Sequence, residues 1–424
     1  MRFIVHGQRH LEGTLTPVGN KNAALPMLAA SVLTDRPITL KNVPLIKDVL
    51  VMLDILEDLG VSVEQKGRTF TLCARSLKKT RLDPTLCHLV RSSILFAGPL
   101  TARHGNAHLH PPGGDVIGHR CLDTHLHGLR TLGTIIKGGR SYSLTAKQLK
   151  GSFILFDEAS VTATENIMMA ATLAQGTTTL YNAACEPHVH DLGLLLNKMG
   201  AQISGLGTNC VKIKGVKQLN GATHTIGPDY IEIGSFVAAA AATKGSLTIQ
   251  TKLDPLIFPI LERTFRKLGI CWKSSGKNLI LSNKQTLRIQ KDVGSSIPKI
   301  EDGTWPAFPS DLMSVVIVLS TQLHGTILFF EKLFESRMYF VDQLIGMGAQ
   351  IVQCDPHRVL VNGPARLHGY HMASPDIRAG MALVIAALCA KGKSIIENAQ
   401  VIDRGYERID EKLQALGADI VRED

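Results

Sequence analysis

Aromatic residues are scarce in this chain. They make up 5% of its 424 residues, so the hydrophobic core must consist mostly of leucine, isoleucine, valine and alanine. The eight cysteines include no C-x-x-C pair, and a chain of this length does not depend on disulfides. We therefore expect free thiols in a reducing compartment. The length itself favours two to three domains over a single core.

Long apolar runs are also missing. The most apolar stretch, Met381–Ala390, falls well short of the roughly 18 residues that span a bilayer. The first residues, Met1–Gln8, lack the apolar segment of a secretory signal. Both observations predict a cytoplasmic protein that has no membrane partner.

Positive charge is in excess, with a formal net charge of +10, and this favours an anionic partner. The longest basic cluster is modest (Lys78, Lys79 and Arg81), and no aromatic residues alternate with it. Nucleic-acid binders usually have longer basic runs, so small phosphorylated ligands are favoured over nucleic acid. Tight, salt-sensitive binding to generic DNA or RNA is the weakest of the alternatives.

An internal repeat organises the chain. A motif of the form apolar-x-x-[Leu/Met]-Gly recurs six times at intervals of about 70 residues. Its glycines are predicted to end amphipathic helices in the left-handed conformation, before a strand begins. They are Gly60, Gly133, Gly200, Gly269, Gly348 and Gly417.

A second feature shares this period. Alanine-rich stretches lead to a glycine and then to a β-branched strand, as in Phe236–Gln250 and Met381–Glu397. Similar segments are Ala24–Leu40 and Ile167–Tyr181. These helices look apolar on every side, so they are predicted to be buried inside sheets. The pattern predicts an α/β protein with six β-α-β-α-β-β units, three in each of two domains.

Two N-terminal segments carry polar residues that the repeat does not explain. In Gly19–Pro26, Lys21 and Asn22 stand at the entrance to a helix, where a phosphate or carboxylate would bind. A solvated lysine in a capping turn is an equal alternative.

The segment His110–Leu129 is rich in proline and glycine, which is typical of a mobile lid. It has no cysteine or glutamate at metal-ligand spacing, so no metal is expected. Its polar residues are Asp115, Arg120, Asp123 and His125.

The C-terminal half adds further cations and acids at repeat junctions. An isolated arginine usually has no special role, but the position of these residues at strand ends predicts a cleft. They are Asp229, Asp311, Arg337, Arg378 and Arg404.

The chain resembles the UDP-N-acetylglucosamine 1-carboxyvinyltransferase family over essentially its whole length. The resemblance rests on the motifs GNKNAALP, PPGGDVIG with the following HR, LD and H, PDYIEIGSF, WPAFPSD, FESR, PDIRAG and IDRGYERI. It implies a two-domain inside-out α/β barrel of the enolpyruvyl transferase type. One domain would comprise residues 21–228, the other 1–20 and 229–424, and the active site would lie in the cleft between them.

The resemblance also implies a reaction. The 3′-hydroxyl of UDP-N-acetylglucosamine would attack C2 of phosphoenolpyruvate, and phosphate would leave after a tetrahedral intermediate. This is the first committed step of peptidoglycan synthesis and would link the chain to cell shape, the cell cycle and cell division. The two substrates would be its small-molecule partners, with no cofactor. The oligomeric state is left open.

Site residues follow from the matching positions. Lys21, Arg120 and Arg404 would bind phosphoenolpyruvate, and Asp311 would be the base for the sugar hydroxyl. The other positions implied to contact substrate are Asn22, Arg91, Asp123, His125, Ser160, Asp229, Leu333, Arg337 and Arg378.

The chain departs from the family pattern at several places. Asp115 stands where the family usually has a cysteine. The resemblance makes Asp115 the proton donor to C3 or a helper in product release. Because fosfomycin alkylates the cysteine of the family, the resemblance also predicts that this enzyme is insensitive to the drug. Glu158 replaces a lysine, Thr162 a glycine, and His188 an acid. These changes leave open the same chemistry on another nucleotide or sugar. A non-catalytic phosphometabolite-binding paralogue is the remaining alternative.

Overall fold

A computed structural model of the chain describes residues 1–114, 117–118 and 121–424. The strands are, in chain order, β1 (Arg2–His6), β2 (Glu12–Leu15), β3 (Ile38–Lys41), β4 (Ser62–Lys66), β5 (Thr69–Cys73), β6 (Asn106–Leu109), β7 (Ile135–Lys137), β8 (Tyr142–Thr145), β9 (Phe153–Leu155), β10 (Thr177–Tyr181), β11 (Gln202–Ser204), β12 (Cys210–Lys214), β13 (Ala222–Thr225), β14 (Ser246–Gln250), β15 (Trp272–Ser275), β16 (Asn278–Leu281), β17 (Lys299–Glu301), β18 (Gly325–Phe330), β19 (Gln350–Asp355), β20 (Arg358–Gly363), β21 (His371–Ala373), β22 (Lys393–Glu397) and β23 (Asp419–Glu423).

The α-helices are α1 (Lys21–Ala30), α2 (Lys47–Leu59), α3 (Pro84–Leu89), α4 (Ala97–His104), α5 (Asp123–Thr131), α6 (Val161–Ala171), α7 (Pro187–Lys198), α8 (Tyr230–Ala242), α9 (Phe258–Lys267), α10 (Met313–Ser320), α11 (Val341–Gly346), α12 (Ile377–Cys389) and α13 (Ile409–Ala415). Short 3₁₀ helices lie at Ser31–Leu33, Arg91–Phe96, Val293–Ser295, Ser310–Leu312, Glu335–Met338 and Ala399–Arg404. No helix in the described ranges is both long enough and apolar enough to cross a membrane.

The chain divides into two compact units. The terminal unit contains both ends, Met1–Val18 and Pro228–Asp424, together with Ile117 and Gly118. The inserted unit contains the described residues of 19–114 and 121–227.

Each unit holds three sheets formed by its described strands. In the terminal unit the strand orders are β21-β22-β1-β23, β15-β16-β14-β2 and β17-β18-β20-β19. In the inserted unit they are β13-β3-β5-β4, β11-β12-β10-β9 and β6-β8-β7.

The sheets share one topology, which confirms the repeat as a structural unit. In each four-stranded sheet a parallel pair at one edge is followed by two antiparallel pairs. The three-stranded sheet keeps the two antiparallel pairs. At its edge, Arg81 makes an isolated parallel bridge to His108 where the fourth strand would stand.

The apolar helices are buried, as the sequence predicts for the alanine-rich α8 and α12 among them. Every residue of α8 and α10 is buried, and so is α12 up to Leu388. These three helices form the centre of the terminal unit and pack on one another. Helices α1, α4 and α6 hold the corresponding places in the inserted unit. Small side chains allow close helix packing, while burial of each larger apolar side chain contributes about 1.5–3 kcal/mol.

The six repeat glycines have positive φ angles, between 75° and 99°. They stand one residue, or two, beyond the last helical residue of α2, α5, α7, α9, α11 and α13. A residue with a Cβ is strained in this conformation, so glycine is the residue that lets each helix stop and a strand start. This prediction from the sequence is confirmed.

Candidate functional site

Lys21 opens α1 in the inserted unit, as the sequence predicts. The Asn20 side chain caps this helix by accepting a hydrogen bond from Ala23 N at 3.0 Å. Lys21 is 8% exposed, and its Nζ lies 2.7 Å from Oδ2 of Asp48, which is buried in the first turn of α2. The ammonium group is thus held in place at a helix N-terminus, where the helix dipole also favours an anion. The neighbouring Asn22 is half-buried.

His125 is fixed by two polar side chains of α6. Its Nδ1 lies 3.0 Å from Asn166 Nδ2 and its Nε2 lies 3.1 Å from Thr162 Oγ1. Asn166 Oδ1 accepts from Gly98 N at 2.7 Å and its Nδ2 donates to Ile94 O at 3.0 Å, so the amide orientation is determined. Nδ1 of His125 must then be the acceptor, and Nε2–H donates to Thr162. The geometry selects the neutral imidazole.

Two more helix starts of the inserted unit carry predicted site residues. Asp123 is the first residue of α5 and is exposed, whereas Ser160 precedes α6 and is half-buried with no side-chain capping bond. Glu158 is exposed and accepts a hydrogen bond from Thr124 Oγ1 at 3.3 Å. Its carboxylate is therefore held at the N-terminus of α5, where the helix dipole stabilises it. His188 is buried near the start of α7.

Arg91 begins a 3₁₀ helix and links the two sides of the glycine-rich segment. Its Nη2 donates to the carbonyl of Cys121 at 3.1 Å. Gly114 has a φ of 108°, and a Cβ there would lie 3.0 Å from the Arg91 Cβ. Of the four candidate residues of this segment, Asp115 and Arg120 lie outside the described residues.

Ile117 and Gly118, which belong to the terminal unit, contact the 3₁₀ helix Glu335–Met338. Ser336 N donates to Ile117 O at 3.3 Å. Gly118 has a φ of 138°, and a Cβ there would lie 2.1 Å from Glu335 Oε2. A side chain at this position would therefore displace the glutamate.

Asp311, which is half-buried, lies between two buried arginines in the terminal unit. Its Oδ1 accepts from Arg337 Nη2 and its Oδ2 from Arg378 Nη2, both at 2.7 Å. Burial alone would raise the pKa of Asp311, but the guanidinium groups of Arg378 and Arg337 outweigh it and hold the pKa well below its usual range. In the part of the chain that the structure describes, Arg337 Nε and Arg378 Nη1 are buried and have no hydrogen-bond acceptor.

Arg378 is itself positioned from several sides. Asp376 caps α12 by accepting from Arg378 N at 2.8 Å and from Ala379 N at 3.0 Å. The guanidinium lies over the Tyr406 ring, with its Cζ 5.3 Å from the centroid. The Tyr406 hydroxyl is 2.8 Å from Ser235 Oγ, and this hydrogen bond connects the Tyr406 ring to helix α8.

Asp229 caps α8 in the terminal unit. It accepts from Ile231 N at 2.8 Å and from Glu232 N at 3.3 Å. Glu232 accepts from Val18 N at 2.9 Å and pairs with Lys412. Burial raises the pKa of Glu232, and Lys412 offsets part of that effect. Asp229 thus has a clear structural role, beside any contact with substrate.

Leu333 and Arg404 complete the candidate residues of the terminal unit. Leu333 is 41% exposed, which is high for so large an apolar side chain. Arg404 ends the 3₁₀ helix Ala399–Arg404. The preceding Asp403 accepts two hydrogen bonds from Arg422, which lies on β23 and also binds Asp410.

Several residues at these sites were not anticipated from the sequence. Asp48, Asn166 and Tyr406 contact predicted residues, but each lies at least 27 residues away along the chain from the residue it contacts. The available signal was at Asn166, a polar residue directly before the apolar run of α6.

The family profile of EPSP synthase (3-phosphoshikimate 1-carboxyvinyltransferase) matches residues 5–413. A UDP-N-acetylglucosamine 1-carboxyvinyltransferase from Treponema denticola is 52% identical over 99% of this chain and 98% of its own length. The chain belongs to the UDP-N-acetylglucosamine 1-carboxyvinyltransferase family. Another relative of that name, from Borreliella burgdorferi, is 50% identical over 99% of this chain and 98% of its own length. The resemblance stated from the motifs is confirmed, and membership makes the chain a transferase.

Solved structures of enolpyruvyl transferases share the fold of this chain. The crystal structure of the enolpyruvyl transferase NikO from Streptomyces tendae matches with a TM-score of 0.88, covering 99% of this chain and 98% of that chain at 23% identity. EPSP synthase from Acinetobacter baumannii matches with a TM-score of 0.76 at 17% identity, and both chains are fully covered. At these identities the match shows the fold, and the predicted two-domain α/β fold of the enolpyruvyl transferase type is confirmed.

Proposed function

We propose that this chain transfers the enolpyruvyl group of phosphoenolpyruvate to the 3′-hydroxyl of UDP-N-acetylglucosamine and releases phosphate. The observation that carries the proposal is the 52% identity, over nearly the whole of both chains, to a relative named for this activity. In the reaction the sugar oxygen bonds to C2 while C3 takes a proton. The tetrahedral intermediate then loses the C3 proton, and the C2–O bond to phosphate breaks.

Anion binding is the main demand of this reaction, because both substrates are multiply charged. We propose that Lys21, Arg120 and Arg404 bind phosphoenolpyruvate. Lys21 is supported by its place at the N-terminus of α1 and by the ion pair with Asp48, which fixes its ammonium group. Arg337 and Arg378 are supported as further anion ligands by the buried Nε and Nη1 groups that lack acceptors among the described residues.

Asp311 is our candidate for the base that takes the proton of the sugar hydroxyl. With two arginines on its carboxylate it is a weak base, because they stabilise its ionised form. An anionic substrate that draws one guanidinium away would raise the basicity of Asp311. We therefore propose that substrate binding itself activates Asp311, so that Asp311 removes the proton of the sugar hydroxyl only when the anionic substrate is bound.

Asp115 is proposed as the proton donor to C3 or as a helper in product release. The described residues of its segment contact the 3₁₀ helix that carries Arg337, which supports a role for the segment at the same site. An aspartate in place of the cysteine offers fosfomycin no thiol there, so we propose that the enzyme is insensitive to the drug.

The acceptor depends on the inserted unit. Glu158, whose carboxylate is engaged by Thr124, and Thr162, which accepts from His125, replace residues usual in the family. Because both changed side chains have partners inside the protein, we favour the usual acceptor over another nucleotide sugar. We place the reaction in the cytoplasm, where its eight free cysteines stay reduced, and in the pathway that serves cell shape and division.

Phosphate release from phosphoenolpyruvate tests the proposal, with each substrate omitted in turn and with Asp115→Asn beside the wild type. We expect release to need both substrates and to collapse in the variant. Release with a different nucleotide sugar alone would show a changed acceptor. No release with any acceptor would leave a binding-only paralogue. Full turnover by Asp115→Asn would refute the role of that residue.

A further inference from the structure

Two acidic residues meet at the carboxyl ends of neighbouring strands in the terminal unit. Strands β17 and β18 are parallel, and Glu301 pairs with Phe330 at their ends. The residues that follow, Asp302 and Glu331, therefore come side by side. Asp302 is 1% exposed and Glu331 is fully buried.

The hydrogen bonds of this pair are incomplete unless it holds a proton. Asp302 Oδ1 accepts from the backbone N of Lys332, but its buried Oδ2 has no donor among the described residues. Two ionised carboxylates repel each other when they are buried side by side, and a proton on Glu331 would supply a donor beside the buried Oδ2 of Asp302. Burial, together with this contact to Asp302, raises the pKa of Glu331 to about 9.

The pair is connected to the candidate base. Ser310 precedes Asp311 in the 3₁₀ helix Ser310–Leu312, and its hydroxyl lies 2.8 and 3.0 Å from the two carboxyl oxygens of Glu331. The titratable or charged groups that border the pair from neighbouring elements are Arg337, Asp311, His357 and Lys332.

These neighbours differ in what they contribute. Arg337 acts on Glu331 through its charge and donates to Asp311. His357 contacts only the backbone carbonyl of Glu331, at 2.8 Å, and the Lys332 ammonium pairs with the exposed Glu301. Arg337 is thus the cation for which Glu331 and Asp311 compete.

We propose that Asp302 and Glu331 share one proton and together act as a positioning pair that keeps Ser310 and Arg337 in the arrangement Asp311 requires. With one proton the pair carries a single negative charge and leaves Arg337 to Asp311. Loss of that proton would place two buried carboxylates side by side and draw Arg337 toward them, away from the substrate anion that it is proposed to bind. The positioning role rests on the proposed function of Asp311, whereas the shared proton does not.

Infrared difference spectra test the shared proton directly. Glutamine at position 331 keeps an acceptor for Ser310 and gives an N–H donor for Asp302, so Glu331→Gln imitates the protonated acid. The wild type minus Glu331→Gln spectrum at pH 7 should show the carbonyl band of a protonated carboxyl group. Glu301 is next to Asp302 in the chain but only half-buried, and its ion pairs with Lys299 and Lys332 lower its pKa. The corresponding difference spectrum for Glu301→Gln should therefore show no such band. Absence of the band from the Glu331→Gln difference would overturn the proposal.

The pH profile of kcat/KM tests the positioning role. Wild-type activity should fall as pH rises through about 9, and Glu331→Gln should lose that alkaline limb while keeping neutral activity. Glu331→Ala should lower kcat by up to about 100-fold, as expected for a displacement of about 1 Å at a reacting group. Superimposable profiles for wild type and Glu331→Gln, or equal loss in the Gln and Ala variants, would overturn it. If no acceptor supports turnover, the positioning role fails with the proposed function, and the infrared comparison alone decides whether the proton is shared.

Discussion

Replacement of Asp311 by asparagine gives the sharpest prediction about stability. The amide keeps the size of the carboxylate and one acceptor oxygen, but it directs an NH₂ group at a buried guanidinium. Removing one partner of a buried ion pair costs about 3–5 kcal/mol, because the remaining charge is left buried. The Asp311 side chain is 25% exposed and one acceptor survives, so we expect the lower part of that range or slightly less, about 2–3 kcal/mol.

Urea unfolding of Asp311→Asn beside a matched surface variant measures this loss. Asp355→Asn breaks a pair with Arg358 that has the same distance of 2.7 Å but a half-exposed arginine, and such pairs contribute about 0–1 kcal/mol. Asp311→Asn should therefore be much less stable than Asp355→Asn. Equal losses in both variants, or no loss in Asp311→Asn, would refute the view that burial makes this cluster strong.

The same ion pairs predict a pH dependence. The folded pKa of Asp311 lies below its ordinary value of 3.8, so the stabilisation is fully present above about pH 4 and is lost as pH falls below that value. Wild type should lose its advantage over Asp311→Asn in acid, while the difference between them should stay constant from about pH 5 to 8. A difference that grows toward acid pH would contradict the assigned direction.

Further predictions concern the inserted unit and the loop acid. Asp48→Asn should weaken phosphoenolpyruvate binding by about tenfold, because a neutral amide holds the Lys21 ammonium group in place less firmly than the carboxylate does. Isothermal titration calorimetry measures this affinity, and an unchanged affinity would contradict the positioning of Lys21 by Asp48. Thr162→Gly removes the acceptor of His125 and should change KM for the nucleotide sugar more than kcat; an equal effect on both would argue against a binding role. Asp115→Cys should become covalently labelled by fosfomycin, seen as a mass increase of the intact protein, while labelling of the wild type would refute its insensitivity.

Much of the fold was predictable because its signals are local and repeated. A glycine that must adopt a left-handed conformation, such as Gly60 or Gly348, marks a helix end whatever surrounds it. A helix without a polar face, such as α8, must be buried. Such signals need no knowledge of which strands pair.

The contacts of the candidate site were less predictable because they join distant parts of the chain. Lys21 is recognisable at a helix start, but its partner Asp48 follows a whole strand later. The Asp302–Glu331 pair depends on the register of β17 and β18, and the sequence of either strand alone does not determine it. Tyr406 reaches Arg378 because the 3₁₀ helix Ala399–Arg404, which precedes it, packs against α12.

Oxygen-18 at the bridging position of phosphoenolpyruvate tests the central claim most directly. If the enolpyruvyl group is transferred, the C2–O bond breaks, and the label leaves with the phosphate in a reaction that requires UDP-N-acetylglucosamine. Mass spectrometry of the released phosphate should then show the label, and the sugar nucleotide should gain the enolpyruvyl mass. Label retained in pyruvate, with unlabelled phosphate, would mean that the P–O bond breaks and would contradict the account.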